Sequence, residues 1–493
     1  MKNKPVIISW ILFLAVFIVG VTSVVANDNF QFLSSIPVAN ANLTKSIVLQ
    51  RVLNIDKYKD ASGVDVVKFK GHYYSAYPPG YSFFAVPFYG VLQIFNYGWV
   101  HLFKPLNGAE SRLLESLALA LPSILSLALT SVLLFKLLYF YKNKLWVSAL
   151  AAWALPFTTF LLGYLPTAFF HLPAAFFLFL GFYVLVTSEK ITILRSFVIG
   201  LSLGLVAITE YVPALCFIPI FLVFIYKYRD YKKSLLVLFG FLVGFSILGA
   251  YNYKLFGAPW KFGESYAATS NSEATSFGIA FTGNPITALS GNYLSRIKGV
   301  VTNAPLFILA IPGFYFLLKR QRKDGTLALA VVLVVSLVYA FWHDWGGGWS
   351  LGPRFYTSLM PFFFTAIGFF VEHFYRNKFA KTLLAIMLAI GVFVAFWSLS
   401  LGPRLLTPKA EANIGIVATQ RASRLPLILE EGFSKNNLAP FIFEAASDLP
   451  IISKINFSTL LAGYSFLTLF VIIGSLLLIL KIAKPDKVAP TIL

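Results

Sequence analysis

Apolar runs of membrane-spanning length recur along the whole chain, and they constrain its fold more than any other feature. A transmembrane helix needs about 20 predominantly apolar residues, and runs of about 17 to 25 such residues alternate here with short polar segments. Hydrophobic residues make up 58% of the sequence and charged residues only 12%. A soluble fold of this size does not need such runs. The sequence therefore predicts an all-α integral membrane protein.

The basic residues predict how these runs are oriented. The formal net charge is +20, but lysine and arginine stand in short clusters between the apolar runs. This pattern is typical of cytoplasmic loops and not of a nucleic-acid-binding surface, so no nucleic-acid partner is expected. The clusters are the N-terminus, Lys142/Lys144, Lys190/Arg195, Lys227 to Lys233, Lys319 to Lys323, Arg376 to Lys381 and Lys481/Lys484/Lys487. If all are cytoplasmic, an even number of crossings separates each consecutive pair.

About twelve transmembrane helices with both termini inside satisfy this condition. The first run, Val6 to Val25, is interpreted as a retained anchor because it is long and lacks a convincing cleavage site. A crossing at Tyr81 to Phe103 would place nearly every later basic cluster outside, and Pro87 interrupts this stretch. The stretch is therefore predicted to lie in the outer membrane interface. The other spans are predicted at residues 112–137, 145–162, 166–187, 195–210, 211–226, 234–252, 303–319, 326–342, 355–374, 380–400 and 459–482.

The predicted spans divide the chain into seven segments by position. The segments are an anchor (1–26), a first outer loop with interfacial helices (27–111), a bundle (112–252), a second outer loop (253–302), a second bundle (303–400), a third outer loop (401–458), and a last helix with a cytoplasmic tail (459–493). All three large loops emerge on the outer side, so chemistry is expected there.

The first outer loop contains the best acidic candidates. A carboxylate at a membrane surface can take a proton from an acceptor hydroxyl or orient a divalent metal, although the sequence does not require a metal. Asp56 follows a predicted amphipathic helix, Asn42 to Leu53. The aspartates of this loop are Asp28, Asp56, Asp60 and Asp65, and the alternative is that they are solvated carboxylates paired with Lys57, Lys59 and Lys68.

Two further motifs carry polar side chains next to predicted spans. In GHYYSAYPPG, His72 and Tyr74 precede a stiff proline pair and are able to contact a sugar or phosphate, or to form an interfacial belt. In FWHDWGGGWSLGPRF, three glycines allow a close backbone approach beside His343, Asp344 and Arg354. The Arg354 guanidinium suits bidentate phosphate binding, and the alternative is an arginine that snorkels to lipid headgroups.

A third motif, YNYKLFGAPWKFGESY, contains Asn252 and leads towards Arg296 and Lys298. Its aromatic and basic residues suit either a lipid phosphate or an interfacial anchor. The single cysteine, Cys216, excludes an intrachain disulfide. The sequence has no Walker-type loop, HExxH, paired CxxC or GxSxG motif, so ATP hydrolysis, zinc proteolysis and an α/β-hydrolase are unsupported.

Taken in order, the anchor, the acidic outer loop, GHYYSAYPPG, YNYKLFGAPWKFGESY, TNAPLF and WGGGWSLGPRF resemble the bacterial and archaeal GT-C glycosyltransferases. This class includes relatives of protein O-mannosyltransferases and lipid A aminoarabinose transferases. The resemblance implies transfer of a sugar from a polyprenyl-phosphate donor in the membrane lipids to a protein, lipid or glycan acceptor on the outer face.

The resemblance also implies roles for individual residues. Relatives often have aspartate where this chain has Asn40, Asn42 or Ala76, so Asp56 and Asp65 become the leading catalytic candidates, with Asp28 in reserve. Arg354 and the turn before it are expected to contact the donor phosphate, with help from Arg296 or Lys298. The substrate-binding candidates are Asn40, Asn42, His72, Tyr74, Asn252, Arg296, His343, Asp344 and Arg354.

Two other functions fit the same architecture. A polytopic transporter or lipid flippase usually places ionisable groups at mid-span and shows internal repeats, and Glu210 is the one residue that argues for it. A non-enzymatic scaffold for cell-surface assembly predicts that Asp56 and Arg354 are individually replaceable.

Overall fold

The structure, a computed structural model, describes residues 3–26, 35–61, 65–102, 108–263, 281–295, 298–347, 350, 352–401 and 457–484. Its α-helices are α1 (Lys4–Ala26), α2 (Ser35–Lys45), α3 (Gly80–Leu102), α4 (Gly108–Phe140), α5 (Leu145–Phe157), α6 (His171–Thr187), α7 (Ile193–Ala207), α8 (Tyr211–Ala214), α9 (Phe217–Tyr228), α10 (Tyr231–Phe256), α11 (Pro285–Leu294), α12 (Val300–Asn303), α13 (Phe307–Arg320), α14 (Arg322–Ala340), α15 (Met360–Phe374), α16 (Lys378–Leu401) and α17 (Phe457–Ala483). A π-helical segment (Ser46–Gln50) extends α2, and short 3-10 helices cover Asp56–Ala61, Phe160–Tyr164 and Arg354–Leu359. One hairpin pairs β1 (Val66–Phe69) with β2 (His72–Ser75).

Each predicted span coincides with one or more of these helices, and the predicted all-α membrane fold is confirmed. Among the described residues, eight helical segments are long and apolar enough to cross a bilayer. They are Lys4–Val25, Ser111–Phe140, Tyr211–Tyr228, Tyr231–Phe256, Arg322–Ala340, Arg354–Phe374, Lys378–Leu399 and Phe466–Ala483. Helices α5, α6 and α7 are shorter but also apolar, so the chain is a multi-pass membrane protein and the count of about twelve crossings stays a prediction.

The turns that carry basic clusters gather at one end of the helix bundle, which we call the basic end. There the Tyr141 hydroxyl donates to Asp324 at 3.0 Å, joining the α4–α5 turn to the start of α14. Lys144 pairs with Glu372 near the end of α15, with Nζ and Oε1 3.0 Å apart. Helix α6 ends at this end, where Lys227 Nζ donates to Leu185 O at 2.9 Å, and α14 begins there. The start of α6 and the end of α14 therefore lie at the opposite end, far from the basic clusters.

At the opposite end, the first loop forms a cap with more structure than its sequence predicts. The helix predicted over Asn42 to Leu53 begins earlier, at Ser35, and ends at Gln50 after its π-helical segment. The β-hairpin was not anticipated, because its strands are only four residues long. The two strands are antiparallel, with Val66 opposite Ser75 and Phe69 opposite His72.

Helix α3 covers the stretch that was predicted to lie in the outer interface. It is not among the eight segments that are long and apolar enough to span, and Pro87 lies inside it. An ion pair between Lys45 of α2 and Glu115 of α4 holds the beginning of α4 beside the first loop. A start of α4 on the same side as α2 supports the prediction that α3 does not cross the membrane.

Candidate active site at the cap

The hairpin of the cap carries both predicted catalytic aspartates, but at opposite ends. Asp56 lies beside the tip, where its Oδ1 accepts from the Tyr73 amide at 2.6 Å and its Oδ2 lies 2.7 Å from His72 Nδ1. Partial burial favours the neutral carboxyl, but the hydrogen bonds from His72 and the Tyr73 amide and the charge of Lys59 together lower the pKa of Asp56. Asp56 is thus an ionised carboxylate with both oxygens engaged.

Asp65 lies at the other end of the hairpin, next to the helix bundle. Its Oδ1 accepts from the Tyr77 hydroxyl at 2.8 Å, and its carbonyl accepts from the Ala76 amide at 3.2 Å. The Tyr77 ring packs on Phe170, with centroids 5.3 Å apart, just before α6 begins. Since each strand has four residues, Asp65 lies roughly 13 Å along the hairpin from the tip that holds Asp56.

His72 and Tyr74 were expected to line the site, and the structure places them differently from each other. His72 is exposed beside Asp56. Tyr74 is buried in a small apolar cluster under the cap, with its ring 5.9 Å from the Phe256 ring. Burial and the nearby Asp56 charge raise the pKa of Tyr74, so its hydroxyl stays protonated at neutral pH.

The three asparagines in the predicted site are buried and bond to backbone carbonyls. Asn40 Nδ2 donates to Ala168 O at 2.8 Å, which ties α2 to the segment before α6. Asn42 donates to Tyr58 O at 3.4 Å, and Asn252 donates to Pro259 O at 3.2 Å. These bonds hold loops in place, and contact of the three amides with a substrate stays a prediction.

In the glycine-rich turn of the motif FWHDWGGGWSLGPRF, the backbone at Gly347 comes close to the Arg354 side chain, as expected for adjacent glycines. Gly347 has φ +66°, and a Cβ placed on it would lie 2.6 Å from Arg354 Nε. The guanidinium carbon also lies 4.9 Å from the centroid of the Phe355 ring. Arg354 Nε is buried and has no hydrogen-bond partner among the described residues. Within the described part of the turn, this N–H group is a donor that no group accepts from.

Lys298 reaches into the same turn from the other side. It is fully buried, and its Nζ donates to Ser350 O at 2.5 Å, while Ser350 Oγ donates to Gly347 O at 3.0 Å. Burial and the positive charge of Arg354 lower the pKa of Lys298 to about 7, although Asp344 opposes this change. The repulsion by Arg354 outweighs the attraction of Asp344, so the local field is positive and suits an anion.

The remaining predicted residues of this region are only partly placed. His343 is exposed, with its ring 5.5 Å from that of Trp342, and the Asp344 carbonyl accepts from the Gly347 amide at 3.0 Å. Arg296 and the reserve candidate Asp28 lie outside the described residues.

A buried polar cluster next to the turn was missed as a unit by sequence reasoning. His171 Nδ1 lies 2.9 Å from Glu210 Oε2, and the Tyr339 hydroxyl donates to Glu210 Oε1 at 2.6 Å. We call these three residues the buried network. Glu210 is recognisable in the sequence as an acidic residue inside an apolar stretch. His171 and Tyr339 stand at the ends of ordinary apolar runs, and their contact with Glu210 depends on the fold.

A divalent metal has limited support in the described part of the chain. No group of three or more His, Cys, Asp or Glu side chains there is arranged to hold an ion. Asp56 and His72 form only a pair, and no third described ligand joins them.

Comparison with known proteins identifies the fold through structure alone. No protein-family model and no curated protein matches the sequence. The structure is similar to the crystal structure of ArnT from Cupriavidus metallidurans bound to undecaprenyl phosphate, with a TM-score of 0.54 and 12% identity over 96% of this chain and 74% of that chain. An apo oligosaccharyltransferase from Archaeoglobus fulgidus gives a TM-score of 0.39 and 12% identity over 78% and 54% of the two chains, too weak a likeness to carry an argument. The fold is GT-C-like, as the sequence resemblance predicted.

Proposed function

We propose that this protein is a glycosyltransferase that moves a sugar from a polyprenyl-phosphate donor to a protein, lipid or glycan acceptor on the extracytoplasmic face. The observation that carries the proposal is a pair of basic side chains at one glycine-rich turn, Arg354 from the turn itself and Lys298 bonded to Ser350 O. Phosphate oxygens match the donors of a guanidinium and an ammonium, and backbone at a glycine permits close approach. The likeness to ArnT, whose structure contains undecaprenyl phosphate, supports a lipid phosphate as the anion.

The expected reaction is an inverting displacement at the anomeric carbon of the donor sugar. The acceptor oxygen forms a bond to that carbon as the bond to the phosphate oxygen breaks, and the polyprenyl phosphate leaves with the electron pair. Lys298 and Arg354 stabilise the negative charge that develops on the leaving phosphate. A carboxylate takes the proton from the acceptor hydroxyl, so no nucleotide is consumed.

Asp65 is the better of the two candidates for the proton acceptor. It contacts Tyr77, which packs against Phe170 at the start of α6 and so lies on the side of the cap that faces the bundle. Asp56 lies at the far end of the hairpin, and its two oxygens already accept from His72 and Tyr73. A carboxylate with a lowered pKa is also a weaker base.

A transfer assay tests the proposal. Membranes containing the protein are incubated with radiolabelled polyprenyl-phosphate sugars, and labelled acceptor is counted for the wild type and for Arg354→Ala, Asp65→Asn and Asp56→Asn. We expect Arg354→Ala and Asp65→Asn each to lower the rate by about 10²- to 10⁴-fold, and Asp56→Asn by less than about tenfold. The control is Lys232→Met, which removes an exposed cation from the α10 start at the basic end.

The outcomes separate the proposed function from its alternatives. Full transfer by all three variants would overturn the site assignment. No transfer above background by the wild type would favour a scaffold. Movement of the labelled lipid across the bilayer with no transfer to any acceptor would favour a flippase. Loss of transfer in Asp56→Asn but not in Asp65→Asn would make Asp56, and not Asp65, the proton acceptor.

A further inference from the structure

We propose that the buried network of His171, Glu210 and Tyr339 positions Arg354 for the donor phosphate. The three residues come from separate elements: the first residue of α6, the break between α7 and α8, and the last turn of α14. The inference rests on the proposed function, because it assigns a role in phosphate binding to residues that do not themselves contact the phosphate.

Burying two ionisable side chains inside a membrane protein costs free energy, and such residues usually have a function. His171 is 1% exposed and Glu210 is 4% exposed. Ionisable groups at membrane depth are rare, face the protein interior and usually mark functional sites. His171 Nδ1 lies 2.9 Å from Glu210 Oε2, and the Tyr339 hydroxyl donates to Glu210 Oε1 at 2.6 Å. The Tyr339 hydroxyl therefore helps to hold the carboxyl group in place.

The network reaches Arg354 through one aromatic ring, that of Phe355. The Tyr339 ring stacks on the Phe355 ring with centroids 4.4 Å apart and planes 20° apart. The His171 ring meets the same ring edge-on at 6.2 Å and 81°. Phe355 in turn carries the Arg354 guanidinium at 4.9 Å.

Two neighbours limit the space of the Arg354 side chain. A Cβ on Gly347 would lie 2.6 Å from Arg354 Nε, and the Phe355 ring centroid lies 4.9 Å from the guanidinium carbon. A ring that is stacked and held edge-on by two other rings has little freedom to rotate, so the position of the guanidinium depends on the network. A misplacement of about 1 Å in a phosphate clamp is enough to weaken catalysis strongly.

The network also gives the buried Glu210 a role that does not involve transport. Transporters usually place ionisable groups at mid-span, whereas Glu210 bonds Tyr339 at the cap end of α14.

The test uses one pair of matched substitutions. Tyr339→Phe removes the hydroxyl bonded to Glu210 but keeps the ring stacked on Phe355. The control, Tyr293→Phe, removes a partly buried hydroxyl bonded to Ser336 Oγ at 2.7 Å. Ser336 lies one helical turn before Tyr339 on α14. Binding of undecaprenyl phosphate in nanodiscs, KM and kcat for transfer, and the melting temperature are measured for the full-length protein.

We expect Tyr339→Phe to weaken undecaprenyl phosphate binding about tenfold and to raise KM for the donor, with a melting temperature close to that of Tyr293→Phe. Tyr293→Phe should bind the lipid like the wild type. If Tyr339→Phe does not yield folded protein, Glu210→Met is measured in its place, because it removes the acceptor of the Tyr339 hydroxyl and keeps a side chain of similar length. Equal binding by the tested variant and the control would overturn the inference.

A double-mutant cycle separates this inference from the proposed function. In an Arg354→Ala background, Tyr339→Phe should cause no further loss of binding, because the network acts through Arg354. Full additivity of the two losses would overturn the positioning role. If Arg354→Ala alone leaves binding unchanged, the proposed function fails; if it weakens binding while Tyr339→Phe does not, only the network role fails.

Discussion

At the residue scale, the fold changes the chemistry of Lys298 more than its sequence position suggests. In the sequence it is one of two basic residues near the end of an outer loop. In the structure it is fully buried beside Arg354, and its pKa falls to about 7 because burial and the neighbouring cation disfavour its charged form. Its charge therefore changes within the physiological pH range.

This lowered pKa predicts a pH dependence of donor binding. The ammonium is present below the pKa of about 7 and is lost above it, so affinity for a polyprenyl phosphodiester should fall as pH rises from about 6 to about 8. The phosphodiester keeps its single charge throughout this range. Lys298→Arg should flatten the profile, because a guanidinium stays charged. Lipid binding measured at three pH values provides the check, and an unchanged slope in Lys298→Arg would contradict it.

At the element scale, helices α7 and α10 pack backbone to backbone. A Cβ placed on Gly200 would lie 1.9 Å from Val237 O, and one placed on Gly204 would lie 2.4 Å from Phe241 O. Small residues allow helices in membranes to approach in this way. The contact fixes α7, and with it the break at Glu210 that contributes to the buried network.

Filling this contact should destabilise the protein. Gly200→Ala forces the two helices apart, and we expect a loss of about 1–3 kcal/mol in the free energy of unfolding, seen as a lower melting temperature in detergent. The matched control is Gly474→Ala in α17, where a Cβ meets no atom within 4 Å. There the better helix propensity of alanine should leave stability equal or slightly higher. Equal melting temperatures for the two variants would show that α7 and α10 move apart freely.

At the scale of the whole molecule, the two ends of the bundle have different chemistry. The basic end carries cationic turns joined by contacts such as Tyr141 to Asp324 and Lys144 to Glu372. The opposite end carries the cap, the glycine-rich turn and the buried network. This division is what the positive-inside pattern predicts for a protein whose chemistry takes place outside the cytoplasm.

Thiol labelling tests this orientation. In a Cys216→Ser background, a single cysteine is placed at Ser290 of α11 or at Lys232 of α10, both exposed positions. A membrane-impermeant thiol reagent applied to right-side-out vesicles should label the cysteine at position 290 and not the one at position 232. In inverted vesicles the pattern should reverse. Labelling of both positions from one side would exclude the predicted topology.

The sequence by itself determined the membrane class, the positions of the helices and the separation of basic turns from polar loops. These properties follow from the length of apolar runs and from charge, which act locally along the chain. The resemblance of short motifs also indicated the GT-C-like fold that the structural comparison confirmed.

Only the tertiary structure decided which polar groups meet. The hairpin separated Asp65 from Asp56, and packing brought Lys298 to Arg354 and joined His171, Glu210 and Tyr339 from three elements. No local pattern predicts such meetings, because the partners are tens to hundreds of residues apart and their contact depends on how whole helices pack. Burial then set the pKa of Lys298, a property that composition and spacing do not contain.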